Sequence, residues 1–168
     1  MLSGCNDYLD ELPDNRTDID TPEKITKLLV SAYSKRLPIL VHEQMSDNVV
    51  DRGIAYTWDD ENCRDAYLFN EKFAQTDEDS PYELWEGNDA AAAAANMALE
   101  AIEELEDANP FLDLSAQRGE ALLCRAYAHF TLCNIFCQAY NSESSNTDLG
   151  IPYVVEVETT PINHSERG

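Results

Sequence analysis

A chain of 168 residues with 33 acidic and 11 basic side chains carries a formal net charge of -22. That balance excludes nucleic acid and anionic lipid surfaces as partners, since both require a basic face. The apolar share of 43% is ordinary, which suits one domain with a packed core rather than a disordered chain.

The amino terminus reads Met1-Leu2-Ser3-Gly4-Cys5. Leu-Ser-Gly-Cys matches the bacterial lipobox, in which small residues precede a cysteine that becomes lipid-modified, so Cys5 is the expected lipidation site. The charged and apolar parts of a signal peptide are not in front of it, which points to a trimmed or truncated start. An acyl chain on Cys5 would hold the protein to a membrane without spanning it. Nothing in the sequence approaches the run of about twenty apolar residues that a spanning helix needs. The five cysteines are odd in number and lack CxxC spacing, so neither a disulfide framework nor a zinc ribbon is indicated.

Residues 6 to 20 are charged and turn-rich and read as an extended leader, partly docked through Tyr8, Leu9 and Leu12. A first helix is expected from Thr21 as N-cap, with Pro22 in the first helical position and Glu23 beside the positive end of the dipole. Its buried stripe is Ile25, Leu28, Leu29, Ala32 and Tyr33, and Pro38 sets the stop. Residues 39 to 79 have no helical period, and a structureless loop of that length is improbable, so short helical turns or a small strand pair are expected there. The same stretch holds Glu43-Gln44-Met45-Ser46-Asp47-Asn48, Trp58 and Tyr67. Flat aromatic faces suit the C–H surface of a pyranose, and carboxylates and amides beside them suit its hydroxyls. Each of these residues also has an ordinary structural use: Asp47 in a turn, Trp58 and Tyr67 as half-buried packing.

A second long helix is expected from Ser80, which forms a capping box with Glu83, with Pro81 in the first helical position. It runs through Leu84, Trp85, six alanines from Ala90 to Ala95, Met97, Leu99, Ile102 and Leu105, and stops at Asn109-Pro110. The alanines give high helix propensity and a thin surface for close packing. A third helix runs from Ser115, as N-cap, towards Tyr140. Leu122, Ala126, Phe130, Cys133, Cys137 and Tyr140 share one face, and Ala121, Ala128, Leu132 and Ile135 make a second stripe, so cover on two sides is expected. Residues 141 to 148 read as a surface loop, Ile151 to Val157 as a segment lying along the helices, and 159 to 168 as a polar tail that ends abruptly.

Chemistry has little positive support. His129, Cys133 and Cys137 fall at steps of four on one helix face, close enough for two to share a metal, but no fourth ligand is in register and core packing is the expected role. There is no P-loop, GxSxG or HExxH. Carboxylates are so abundant that a pair suited to glycoside hydrolysis carries no information. Arg125, within a helix buried on two sides, is expected to pair with a carboxylate. No cofactor, metal or catalytic group is expected.

Glu120-Ala121, Leu123-Cys124-Arg125-Ala126-Tyr127, Phe130 and Leu132, followed by Gly150-Ile151-Pro152, resemble the helix signature of the SusD/RagB family of outer-membrane nutrient-binding lipoproteins. Tyr8-Leu9-Asp10 with Pro13, Thr21-Pro22-Glu23, Trp85, and Asn96 with Leu99 and Ile102 also lie in family positions, while Cys124 stands where leucine is common. The match covers nearly all of this chain but only the amino-terminal portion of the family. The resemblance implies an all-α, tetratricopeptide-like antiparallel helical stack with long irregular loops. It divides the chain into a lipobox and leader (1–20), an amino-terminal helical domain (21–158) and a truncated tail (159–168). The implied role is non-catalytic: capture of glycan or another nutrient at the cell surface and delivery to a TonB-dependent outer-membrane transporter. The family often shows Ser-Asp-Asn where Ser46-Asp47-Asn48 stands and builds pockets from loops in this part of the chain, so Asp47, Asn48, Trp58 and Tyr67 are the expected ligand-binding residues. The rival reading is a helical protein–protein scaffold that binds no glycan.

Overall fold

The computed structural model describes residues 19–53, 61–70 and 80–157. Cys5, the leader up to residue 18, Trp58 and the tail therefore lie outside the described residues. The fold is all-α. Helix α1 spans Pro22–Leu29 and continues as a 3₁₀ turn over Val30–Ala32; α2 spans Ile39–Gln44, α3 Glu61–Tyr67, α4 Pro81–Ala108 and α5 Ser115–Phe136. The described residues contain no β-strand, and the described part of the stretch from 39 to 79 contributes two short helices.

Local chemistry sets the helix starts. The Lys24 N–H donates to Thr21 Oγ1 at 3.3 Å, and Pro22 opens α1, as expected. The Glu83 N–H donates to Ser80 Oγ at 3.2 Å, and Ser80 is fully buried. The Glu83 carboxylate pairs with Arg36 at 3.0 Å, tying the chain after α1 to the first turn of α4. Gly87 makes that tie possible: a Cβ there would lie 2.6 Å from Arg36 Cγ and 2.9 Å from Arg36 Cβ. A helical glycine costs about 1 kcal/mol against alanine, and here its bare backbone seats the arginine stem.

Ser115 is not the cap of α5. It is the first helical residue, and its N–H donates to Asp113 Oδ1 at 3.0 Å. Hydrogen bonding by Ser115, from its side chain first and this N–H second, holds the Asp113 carboxyl below its ordinary value. Glu106 finishes the turn, accepting from the Leu114 N–H at 3.4 Å and from the Arg118 guanidinium.

Helices α4 and α5 run antiparallel, since Glu106 meets Arg118, Asn96 meets Arg125 and Trp85 meets Phe136. Four of the six consecutive alanines, Ala91, Ala92, Ala94 and Ala95, are buried, with Ala98, Ala101 and Ile102 continuing their face. The matching surface of α5 is Ala121, Cys124, Ala128 and Leu132. Ile25, Leu29 and Ala32 close the core from the α1 side. Tyr33, expected in that stripe, lies at the surface, where its hydroxyl donates to Glu120 Oε1 at 2.8 Å. The carboxylate holds the phenolic proton, so the Tyr33 pKa is pushed up to about 12.

The other stripe of α5 faces outward. Leu122, Ala126 and Cys133 are exposed, as are Leu123 at 71% and Phe130 at 64%; Tyr140, expected on the same face, lies past the helix end and is exposed as well. The reason is steric fit: an alanine surface draws a partner helix close, and only the small-residue stripe of α5 tolerates that approach. The larger side chains turn away. Cys133 is thus a surface thiol, while His129 is buried, as expected of a packing residue.

Arg125 makes a different bond from the expected ion pair. It donates to Asn96 Oδ1 at 3.1 Å and to the Val155 carbonyl at 3.4 Å. Asn96 in turn donates to the carbonyls of Val154 at 3.1 Å and Glu156 at 3.4 Å. The segment 151–157 is therefore a strap laid along α4 and α5, its carbonyls satisfied by side chains from both helices. His129 Nδ1 lies 2.8 Å from the Arg125 carbonyl, an acceptor only, so Nδ1 carries the proton. The His129 ring packs on Tyr153 of the strap with centroids 4.6 Å apart.

Candidate functional site

Of the sequence-predicted ligand residues, Asp47 and Asn48 follow α2 and Tyr67 ends α3, while Trp58 lies outside the described residues. Helix α2 closes in a turn in which Ser46 Oγ donates to the Glu43 carbonyl at 2.8 Å and accepts from the Asn48 N–H at 3.2 Å. The Asn48 amide then donates to Glu43 Oε2 at 3.0 Å. These local bonds are the turn chemistry that Ser, Asp and Asn favour. Asp47 and Asn48 are exposed on that turn.

Tyr67, in the last turn of α3, reaches back to the same place: its hydroxyl accepts from the Asp51 N–H at 3.3 Å. Asp51 Oδ1 accepts from the Gly53 N–H at 2.7 Å, and Gly53 takes the left-handed backbone, φ +83°, that glycine adopts without a steric penalty. Asp51 and Tyr67 thus meet through one hydrogen bond, and Asp47 and Asn48 stand on the turn just before Asp51. Between α2 and α3 a space of about 10 Å³ is lined by Leu40, Val41, Gln44, Asn62, Cys63 and Ala66.

Sequence reasoning passed over Phe69. Helix α3 ends with the Phe69 N–H donating to the Ala66 carbonyl at 3.1 Å and the Asn70 N–H to the Asp65 carbonyl at 2.9 Å. This is the paired closure that normally places glycine in the left-handed position. Phe69 occupies it at φ +53°, with 67% of its surface exposed. A left-handed conformation costs a non-glycine residue about 1–2 kcal/mol, so a large aromatic is held at the surface beside Tyr67 against its own preference. The sequence signal was the missing glycine at a helix end. Asp65 braces the closure, accepting from Asn70 Nδ2 at 3.0 Å and pairing with Arg64 at 3.2 Å; these bonds, Asn70 first, hold its carboxyl below the ordinary value.

A second concavity lies at the open end of the α4–α5 hairpin. It is a cleft of about 630 Å³ lined by Trp85 and Phe136 on the helices, then Gln138, Thr147, Asp148 and the 149–151 turn. The Trp85 and Phe136 rings meet edge-to-face, centroids 5.0 Å apart at 75°. Ser144 Oγ donates to Asp148 Oδ2 at 2.7 Å and fixes one side of that carboxylate. Asp89, one turn along α4 from Trp85, has its carboxyl pushed up by burial, an effect His129 partly opposes. Among the described residues no group of three or more His, Cys, Asp or Glu side chains is placed to hold a metal ion.

The chain matches a known protein family. A model described as SusD-like_3, starch-binding associating with outer membrane, matches residues 7–168. No curated protein and no solved structure shows a significant match. None of the described helices is long and apolar enough to cross a membrane.

Proposed function

The chain belongs to the SusD-like family, and from that premise we propose that it captures a glycan at the outer membrane and delivers it to a TonB-dependent transporter. The observation that carries this reading is the family match across residues 7–168. The α2–α3 end offers support: Asp47 and Asn48 are exposed on the turn after α2, Tyr67 bonds to Asp51 three residues on, and Phe69 adds an exposed ring to the set expected from sequence. Trp58 is assigned to the same site. Carboxylate and amide groups accept from and donate to sugar hydroxyls, and the aromatic rings cover the C–H faces. Binding without catalysis follows from the same family reading.

The remaining assignments extend it. The helical domain spans 21–158 and works as one tetratricopeptide-like unit. Cys5 carries the lipid that holds the protein at the cell surface, with residues 6–20 as its tether. The outward stripe of α5, with Leu123, Tyr127 and Phe130, supports a docked protein partner, and the transporter fills that role. The test is retention of the full chain on immobilised starch and on a panel of other polysaccharides. Trp58→Ala and the double variant Asn48→Ala/Tyr67→Phe are expected to weaken retention about tenfold each, with the helical circular dichroism unchanged. Binding to a transporter with no polysaccharide retained would contradict glycan capture and favour a protein–protein scaffold.

A further inference from the structure

We propose that the cleft between Trp85, Phe136 and the 147–151 turn is a second carbohydrate subsite, separate from the α2–α3 end, that takes one or two pyranose rings of a neutral glucan. The proposal rests on the glycan-binding reading of the family and names a site which that reading does not contain. Four observations carry it. The edge-to-face pair of Trp85 and Phe136 forms an aromatic corner within the cleft, and neither ring is fully covered by the chain. Aromatic surface of this kind binds the C–H face of a pyranose. The rim supplies hydroxyl-binding groups of three types, in the Gln138 amide, the Thr147 hydroxyl and the Asp148 carboxylate.

The rim is also held in place. The Asp148 N–H donates to the Ser144 carbonyl at 3.0 Å and the Thr147 N–H to the same carbonyl at 2.8 Å, while Ser144 Oγ orients the carboxylate. Beyond Ile151 the strap is fastened through Asn96, Arg125 and the His129–Tyr153 contact. A wall fixed before the ligand arrives lowers the ordering cost of binding. Finally, the volume of 630 Å³ falls within the roughly 300–1,000 Å³ of small-molecule sites, and the net charge of -22 disfavours uronic or sulfated sugars. A neutral glucan fits both limits.

The chain has two tryptophans, Trp58 and Trp85, so each can be read alone. In the full chain with Trp58→Phe, titration with maltohexaose is expected to give a saturable change in Trp85 fluorescence. Gln138→Ala and Asp148→Asn, added singly to that background, are expected to weaken the midpoint about five- to tenfold. Both lie outside the helical core, and unchanged far-ultraviolet circular dichroism verifies that each variant folds. The companion chain with Trp85→Phe reports on Trp58. A silent Trp85 beside a responding Trp58 overturns the subsite and leaves the family reading intact; silence of both overturns the two together. A Trp85 response unaffected by Gln138→Ala and Asp148→Asn also overturns the subsite, because the sugar then lies elsewhere on the indole.

Discussion

The α4–α5 hairpin and the α2–α3 pair show how differently one chain invests its apolar residues. Helices α4 and α5 are long, and they seal an alanine face against a small-residue stripe with Ile102, Leu114, Ile25 and Leu29 fully buried around it. Helices α2 and α3 are six and seven residues long and bury two apolar side chains, Val41 and Ala66. Helices that short are marginal in isolation, and local hydrogen bonds from Ser46, Asn48, Tyr67 and Asp65 hold them instead. The first region is a frame. The second is held by its local turns, with Phe69 in a left-handed backbone that stores strain.

Several measurements break or sharpen that contrast. The largest effect is expected in the frame: Ile102→Ala should cost about 3–4 kcal/mol in urea denaturation, against about 1–2 kcal/mol for Val41→Ala in α2. Equal losses would show that the two regions unfold as one body. Arg125→Met should cost about 1–2 kcal/mol and release the strap, read as loss of amide protection over 153–157. Next is Phe69→Gly, expected to stabilise the end of α3 by about 0.5–1 kcal/mol through relief of the left-handed strain, while weakening polysaccharide retention. Stability gained with no loss of retention would remove Phe69 from the site.

The smallest effect is a pH dependence with a fixed sign. Hydrogen bonds from Ser115 and Asn70 lower the Asp113 and Asp65 carboxyls in the folded state. The unfolded chain therefore takes up these protons first. The stabilisation is complete above the ordinary carboxylate value of about 4 and is lost as pH falls from there through the depressed folded values. Asp113→Asn should flatten this acid-side slope for α5, and Asp65→Asn for α3.

Much of the frame was legible in the sequence, because its signals are local. Thr21 and Ser80 cap the helices they precede, Pro22 and Pro81 open them, and the alanine run packs as a thin surface should. The start of α5 was misread because Asp113, two residues earlier than Ser115, accepts the free N–H. The orientation of α5 was misread for a deeper reason. Periodicity marks Leu122, Ala126 and Phe130 as an apolar stripe, but only the shape of α4 decides which stripe it receives. Arg125 illustrates the same limit, since its partners are Asn96 and a strap carbonyl distant in sequence. Asp47, Asn48 and Tyr67 form a composition suited to sugars in the sequence, and the retention experiment decides whether they bind one. The Trp85–Phe136 cleft was not legible there, because its two rings meet only after the hairpin closes.

The most direct test of the central claim is amide hydrogen exchange on the full chain with and without saturating maltohexaose. A rigid hairpin that presents irregular segments to a glycan predicts new protection at 45–53, 67–70 and 147–151, with the slow amides of α4 and α5 unchanged. Protection confined to the outer stripe of α5, or none anywhere at saturation, would contradict it.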